Sequence, residues 1–471
     1  MVQLSSLEEY FYYRCKLNLH SCFYLAVTLN EIPTGEQLID ALRETIKSHP
    51  KTHCTVTIPK DGSKPEMKNL TDVSIHLDDV VEYSPWEELD AGAMNSIFKN
   101  YSFAFDNGKP MWKIIILEKS KQLVFALSHI IFDGMSSTYF ASTFMEKLNS
   151  VEKTVLDLPK DILYSSGDNI DLAPHPYEKL PISWAWWAKR SLVKLLLKVS
   201  PGVVMNTDPG LLQFKSYNFP DDFIESSASD SKEFEVKNNN TQKLLRIDQN
   251  VLPKLMKDCK DRGVSLNTFL VTLFAVALTK VDKNVLKNGK KVNINIPIST
   301  RNFCHKSLGV DETELQIGDF IAGMEYCRDL DSMSDDKFWE TSKEVQTFIK
   351  DFVDTQIPDA INTAKLLDIA NVEDFIREKV QRAYGVGPSA AFEVSNLGFC
   401  KFGNETDDRD RKYYVTDAFF NQPQGFSNIF TCSVITTHIG GLTCSISYPS
   451  ELTTDIQPVW DYVDGILEIY K

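Results

Sequence analysis

No two of the nine cysteines in this 471-residue chain form a C-x-x-C pair, and their number is odd. That excludes a disulfide framework or a paired-cysteine zinc or redox site, and the thiols are expected to be reduced, mostly packed side chains of a cytosol-facing protein. Basic residues are in short supply, with 50 Lys and Arg against 65 Asp and Glu and a net charge of -15. A general nucleic-acid binder, which needs clustered cations for phosphate contacts, is excluded. No apolar run reaches the roughly 20 residues that cross a bilayer. The segment Met1 to Tyr13 carries acidic residues where a secretory leader has a basic region and an apolar stretch, so neither a secretory signal nor a transmembrane helix is expected.

Several motifs are missing as well. There is no G-x-S-x-G elbow and no G-x-x-x-x-G-K-S/T loop, and Tyr384-Gly385-Val386-Gly387-Pro388 lacks the flanking strand and helix of a dinucleotide fingerprint. His49-Pro50-Lys51-Thr52-His53-Cys54 has no partner motif for a metal and reads as a loop after a helix. Serine hydrolysis through an elbow, P-loop phosphoryl transfer and nicotinamide chemistry lose their support.

What the chain does have is Leu127-Ser128-His129-Ile130-Ile131-Phe132-Asp133-Gly134. A β-favouring run before it and helically spaced apolar residues after it predict strand, turn and helix, with His129 at the strand end, where loops of α/β folds carry chemistry. None of the other seven histidines has an aspartate four residues on. The bare pair also arises by chance, and a histidine that simply caps a buried strand is the plain alternative.

The length predicts two domains of about 200 residues each. The first reads as mixed α/β over 1–160, with strands at Phe23–Leu29, Met111–Glu118 and Gln122–Ser128 and a helix over Thr34–Ser48. A proline-rich crossover over 161–240 follows. A second α/β unit fills 241–471, with a strand at Lys291–Ile298, strands Ala391–Ser395, Tyr413–Ala418, Ile429–Thr436 and Leu442–Tyr448, and a last helix near Ile456–Ile469. Arg301, just past Ile294-Asn295-Ile296-Pro297-Ile298-Ser299-Thr300, is the expected bidentate partner of Asp133. Val394-Ser395-Asn396-Leu397-Gly398 ends a strand where hydroxyl and amide donors can meet a ligand or merely turn the chain. In the crossover, Arg190, Lys194 and Lys198 fall on one side of a helical wheel, and Trp184, Ala188, Leu192, Leu195, Leu196 and Val199 on another. Together with Trp186 and Trp187 these make either an interfacial, peripherally membrane-bound helix or a surface helix covering a domain or channel.

Taken in order, Ser5-Ser6-Leu7-Glu8-Glu9-Tyr10, Trp112-Lys113-Ile114-Ile115, Ser128 to Ser137, Val394 to Gly398, and Asp417-Ala418-Phe419-Phe420 through Gln424-Gly425 resemble the fungal alcohol acetyltransferase family, among the CoA-dependent acyltransferases with H-x-x-x-D. The resemblance implies an α/β fold of two chloramphenicol-acetyltransferase-like domains, mixed sheets flanked by helices with a channel between them. It also implies acetyl-CoA as co-substrate without a metal. His129 becomes the general base, with Asp133, Gly134 and Arg301 structural beside it, and Ser395 or Asn396 a candidate oxyanion or substrate donor. The acceptor is expected to be an alcohol or a lipid-like amino alcohol, and the protein a monomer without nucleic-acid partners, cytosol-facing and peripheral on endoplasmic reticulum or lipid droplet. Met135 stands where the family often has a basic residue. The alternative on the same fold is a catalytically silent lipid-binding or membrane-adaptor protein.

Overall fold

The computed structural model describes residues 1–60, 63–70, 74–150, 159, 161–165, 172–206, 208–217, 240–369, 371–383, 386–402 and 411–470. The elements that frame the site are, in chain order, helix α1 (Ser6–Lys16), strand β1 (Phe23–Leu29), α2 (Gly35–Ser48), β2 (Val81–Tyr83), α3 (Ala91–Asn100), β3 (Trp112–Leu117), β4 (Gln122–Leu127), α4 (Gly134–Ser150) and α5 (Trp184–Val199). After the crossover come β5 (Asn240–Ile247), α6 (Leu252–Asp261), α7 (Leu266–Ala277), β6 (Lys291–Ser299), α8 (Arg301–Leu308), β7 (Ile321–Asp329), α9 (Phe338–Thr355) and α10 (Val372–Ala383). The chain closes with β8 (Ala390–Phe399), β9 (Val415–Asn421), β10 (Asn428–Thr437), β11 (Gly441–Pro449) and α11 (Gln457–Glu468).

Two mixed sheets carry the molecule. The first has the order β9-β1-β4-β3-β2 and the second β5-β11-β10-β8-β6-β7. In the first, Lys119-Ser120-Lys121 turns β3 back antiparallel onto β4, with Trp112 opposite Leu127 and Leu117 opposite Gln122. All six residues of β4 are buried, because both sheet faces are covered. Leu123, Phe125 and Leu127 pack with Phe140 and Phe144 of α4 on one face, and Val124 and Ala126 pack with Ile97 and Phe98 of α3 on the other. In the second sheet, α7 is buried nearly along its length against β8, β10 and α11. No single helix among the described residues is long and apolar enough to cross a membrane.

Helix starts follow local chemistry. Ser5 and Glu8 form a reciprocal capping box at α1, and Thr34 and Gln37 form another at α2. Ser265 caps α7 through the Thr268 amide.

The two halves interlock. Although it follows residue 240, β9 pairs antiparallel with β1, Asn421 opposite Tyr24, and so completes the first sheet. Its side chains also reach the second sheet, since the Ser447 hydroxyl donates to Asn421 and Arg246 pairs with Asp417 at 2.7 Å. The expected boundary thus does not confine the later residues to one sheet. Most of the polar run Asp221 to Asn240, together with Tyr384 and Gly385, lies outside the described residues. The segment read as a metal-free loop at 49–54 is a 3-10 turn, Pro50–His53, leading into a short strand, Cys54–Thr57. All nine cysteines are free, and only Cys327 is exposed.

Candidate active site

The strand β4 ends one residue before Ser128, whose amide donates to Met111 and whose carbonyl accepts from Ile131 and Phe132. This turn buries Ile130, Ile131 and Phe132 completely, so the neighbours of His129 are fixed in the core. The His129 ring lies flat against Phe11 of α1, centroids 3.8 Å apart and planes 7° apart, with Phe23 and His20 at 5.1 and 5.7 Å. Only 8% of the residue remains exposed. Its Nδ1 is sealed and has no hydrogen-bond partner. Nε2 keeps accessible surface and no partner among the described residues, and the ring lines a cavity of about 220 Å³.

Asp133 is fully buried and begins α4. Its carboxylate accepts from the Ser136 amide at 2.8 Å and from the Phe320 amide at 2.8 Å, while Arg301 donates two parallel hydrogen bonds to it, both at 2.7 Å. Burial alone would raise its pKa, but the guanidinium and the amide donors more than offset this and hold the carboxyl below the usual carboxylate range. Arg301 is fixed in turn by the Leu315 carbonyl at 2.8 Å and the Ser136 hydroxyl at 3.0 Å. Because Asp133 belongs to the first sheet's helix and Arg301 follows β6, the pair clamps the two halves together beside the histidine.

The clamp also delivers a residue that the sequence reading missed. Ser136 Oγ donates to the Gly318 carbonyl at 2.7 Å and accepts from the Gly318 amide at 3.0 Å. Gly318 has φ +156°, and a β-carbon there would run into the Phe320 ring. Between these two residues sits Asp319, fully buried, with neither carboxylate oxygen hydrogen-bonded and Oδ2 3.6 Å from Nδ1 of His129. Burial pushes its pKa up to about 6, opposed in part by the histidine. The imidazole therefore has an acidic group behind Nδ1 and open space before Nε2. The signal available in the sequence was Gly318-Asp319-Phe320 just before a strand, which carries no chemistry by spacing alone.

Of the other predicted residues, Gly134 and Ser395 line the same cavity. A β-carbon at Gly134 would come within 2.6 Å of Leu397 Cδ2, so the Leu397 side chain would have to shift to admit one. Asn396 does not line the cavity: its Nδ2 donates to Asn267 at 3.2 Å and its Oδ1 accepts from the Gly398 amide at 2.8 Å. Glu393, Arg14 and His20 are among the residues that face the space unpredicted. Glu393 of β8 accepts from Gln422 at 2.8 Å and Asn428 at 3.2 Å, and burial raises its pKa. Arg14 of α1 stacks on Tyr10, Phe11 and Phe426, and its Nε is buried without a partner. His20 is held well below its ordinary pKa by burial first, then by Arg14 and His129, and stays neutral. Among the described residues no three His, Cys, Asp or Glu side chains gather as a metal site would require.

The predicted membrane-contact set divides. Trp184 is 84% and Trp187 49% exposed, and Lys194 and Lys198 are exposed beside them. Trp186 is a correction: only 4% exposed, it packs inward, because positions 186, 190, 193 and 197 follow the helical period facing the protein. Arg190 is half-buried, its guanidinium over the Trp187 ring.

Two helix-flanked mixed sheets, joined by an arginine-bound aspartate four residues after a cavity-lining histidine, define a two-domain chloramphenicol-acetyltransferase-like fold, an acyltransferase architecture. The TRI3 trichothecene 15-O-acetyltransferase of Fusarium sporotrichioides shares this fold over 100% of this chain and 94% of its own, with TM-score 0.66 at 11% identity. The first condensation domain of the CDA synthetase does so over 100% and 96%, with TM-score 0.57 at 12% identity. The chain belongs to the alcohol acetyltransferase family, whose model matches residues 3–471. It is 34% identical to the N-acetyltransferase SLI1 of Saccharomyces cerevisiae over 100% of both chains. It is therefore an acetyltransferase, which decides against the catalytically silent alternative.

Proposed function

We propose that the enzyme moves an acetyl group from acetyl-CoA to the hydroxyl or amine of an alcohol or lipid-like amino alcohol, with His129 as general base and no covalent intermediate. The observation that carries this reading is the asymmetry of the imidazole, Nε2 open to the cavity and Nδ1 3.6 Å from Asp319. Ionised Asp319 favours the tautomer with the proton on Nδ1, leaving the Nε2 lone pair free to accept the acceptor's proton as it attacks the thioester carbonyl. His129 then returns that proton to the departing CoA sulfur, so proton and acetyl group are both accounted for. Asp319 steadies the imidazolium in between without itself being protonated. Ser395 is the proposed hydroxyl donor to the developing oxyanion, since it shares the cavity with His129.

The 34% identity to a protein named as an N-acetyltransferase favours an amine acceptor. Glu393 supports the same choice, because a carboxylate on the cavity wall suits an amine-bearing molecule better than a neutral alcohol. An amine attacks only when uncharged, so turnover with an amine is expected to rise with pH through the acceptor's deprotonation range. The test is incubation with acetyl-CoA and a panel of alcohols, sterols and sphingoid amines, followed by product mass spectrometry. Acetylated product is expected with an amphipathic amine, and acetylated alcohols alone would reverse the acceptor assignment.

A further inference from the structure

Half of the exposed large apolar side chains among the described residues lie between 184 and 204. On α5 the outward stripe runs Trp184, Trp187, Leu192, Leu195 and Val199, the last 73% exposed, and Val203 in the short helix Gly202–Met205 extends it at 69%. Nothing in this chain's described residues covers these side chains. An ordinary surface helix turns its apolar stripe inward; here the inward face holds Trp186, and a second apolar face points out. A contiguous exposed apolar patch of this kind marks an interaction surface.

The charges beside it identify the partner. Lys189, Arg190, Lys194 and Lys198 lie on the same helix, there is no acidic residue from Ser183 to Asn206, and none of the four cations has a carboxylate partner among the described residues. In a protein of net charge -15 this is an isolated cationic strip. Protein interfaces deplete lysine at their cores, and pairing this helix with a second copy of itself would set cations against cations. Tryptophan at headgroup depth, aliphatic side chains below and lysines toward phosphate match an anionic bilayer.

We propose that α5 and the following short helix form a docking surface for an anionic lipid bilayer, lying flat in its interface. The position is informative. The helix packs on the 3-10 turn Lys365–Ile369 and the short helix packs on α10, while α1 packs on both that turn and α10. Since α1 carries Tyr10, Phe11 and Arg14 of the cavity wall, the lipid surface lies behind the wall of the catalytic cavity.

The test uses the full chain with vesicles of phosphatidylcholine, with and without phosphatidylserine. The parent is expected to co-sediment with the phosphatidylserine vesicles. A variant combining Trp184→Ser, Trp187→Ser and Leu195→Gln should lose about tenfold or more in partition coefficient. A second, Lys194→Glu with Lys198→Glu, should lose the preference for phosphatidylserine. Both should keep the parent's circular dichroism and its turnover of a water-soluble acceptor, since neither touches the cavity. A parent that stays in the supernatant, or variants that pellet like the parent, would overturn the proposal. So would a dimer in sedimentation velocity that the apolar variant abolishes, because that result assigns the face to a second copy.

Discussion

His129 works through the residues around it more than through any property of its own, and substitutions at those neighbours separate the roles. Asp319→Asn keeps the shape and removes the charge behind Nδ1. Because burial pushes the aspartate up to about 6, it is ionised above that pH and protonated below it. Turnover by the parent should therefore fall as pH drops through about 6, and the asparagine variant should lose the part of that fall that Asp319 contributes and run with a lower kcat throughout. The groups that act on Asp319 besides His129 are Asp133 and Glu8, both of which raise it further. The sign for stability is opposite to that for activity. A carboxyl raised above its unfolded value costs nothing below pH about 4 and its full penalty, up to about 3 kcal/mol, above about 6. Asp319→Asn should then unfold in urea at the same or higher concentration than the parent at pH 7 while turning over more slowly. A destabilised variant with unchanged kcat would mean that Asp319 is only structural. At the same scale, Glu393→Gln should raise KM for an amine acceptor and leave KM for acetyl-CoA unchanged, read from initial rates with each substrate varied.

Among the elements, the turn from β4 into α4 and the start of α8 meet through one buried ion pair. Removing one partner of such a pair leaves the other charge stranded, at a cost of about 3–5 kcal/mol. Arg301→Ala should show that loss as a lower urea midpoint at pH 7. The Asp133 contribution exists above the ordinary carboxylate pKa and disappears as pH falls through its depressed native value, so the gap between parent and variant should narrow in acid. An equal urea midpoint would show that the clamp adds nothing to stability. Elements were legible in the sequence where periodicity was strong. The strand Phe23–Leu29 carries the same bounds in both readings, and β3, β4, α2 and α11 agree within a residue or two, because their apolar runs are long and their ends carry turn or capping residues. Strand β7 was missed, as was the three-residue β2. Ala322, Met324 and Tyr326 point inward and Gly323, Glu325 and Cys327 outward, an alternation written in residues of weak β preference. For α5 the wheel separated a basic side from an apolar one but did not single out the inward stripe of Trp186, Arg190, Val193 and Leu197, which takes Arg190 from the basic side.

Across the whole molecule, the site is assembled from pieces distant in sequence. His129, Glu393 and Arg14 come from the turn after β4, from β8 and from α1, and β9 crosses back to the first sheet after the second has begun. The H-x-x-x-D-G turn and its pairing with Arg301 were readable because spacing and side-chain chemistry are local properties. Asp319, Glu393 and Arg14 were not, because only the tertiary packing of two sheets places them around one imidazole. The most direct test of the account is acetyl-CoA-dependent thiol release, with an amine acceptor, by the parent and by His129→Ala of matched circular dichroism. A general base contributes about 10²- to 10⁴-fold, and the variant should lose that much while still binding acetyl-CoA. A variant that releases thiol at the parent's rate would contradict the assignment of His129 as the base.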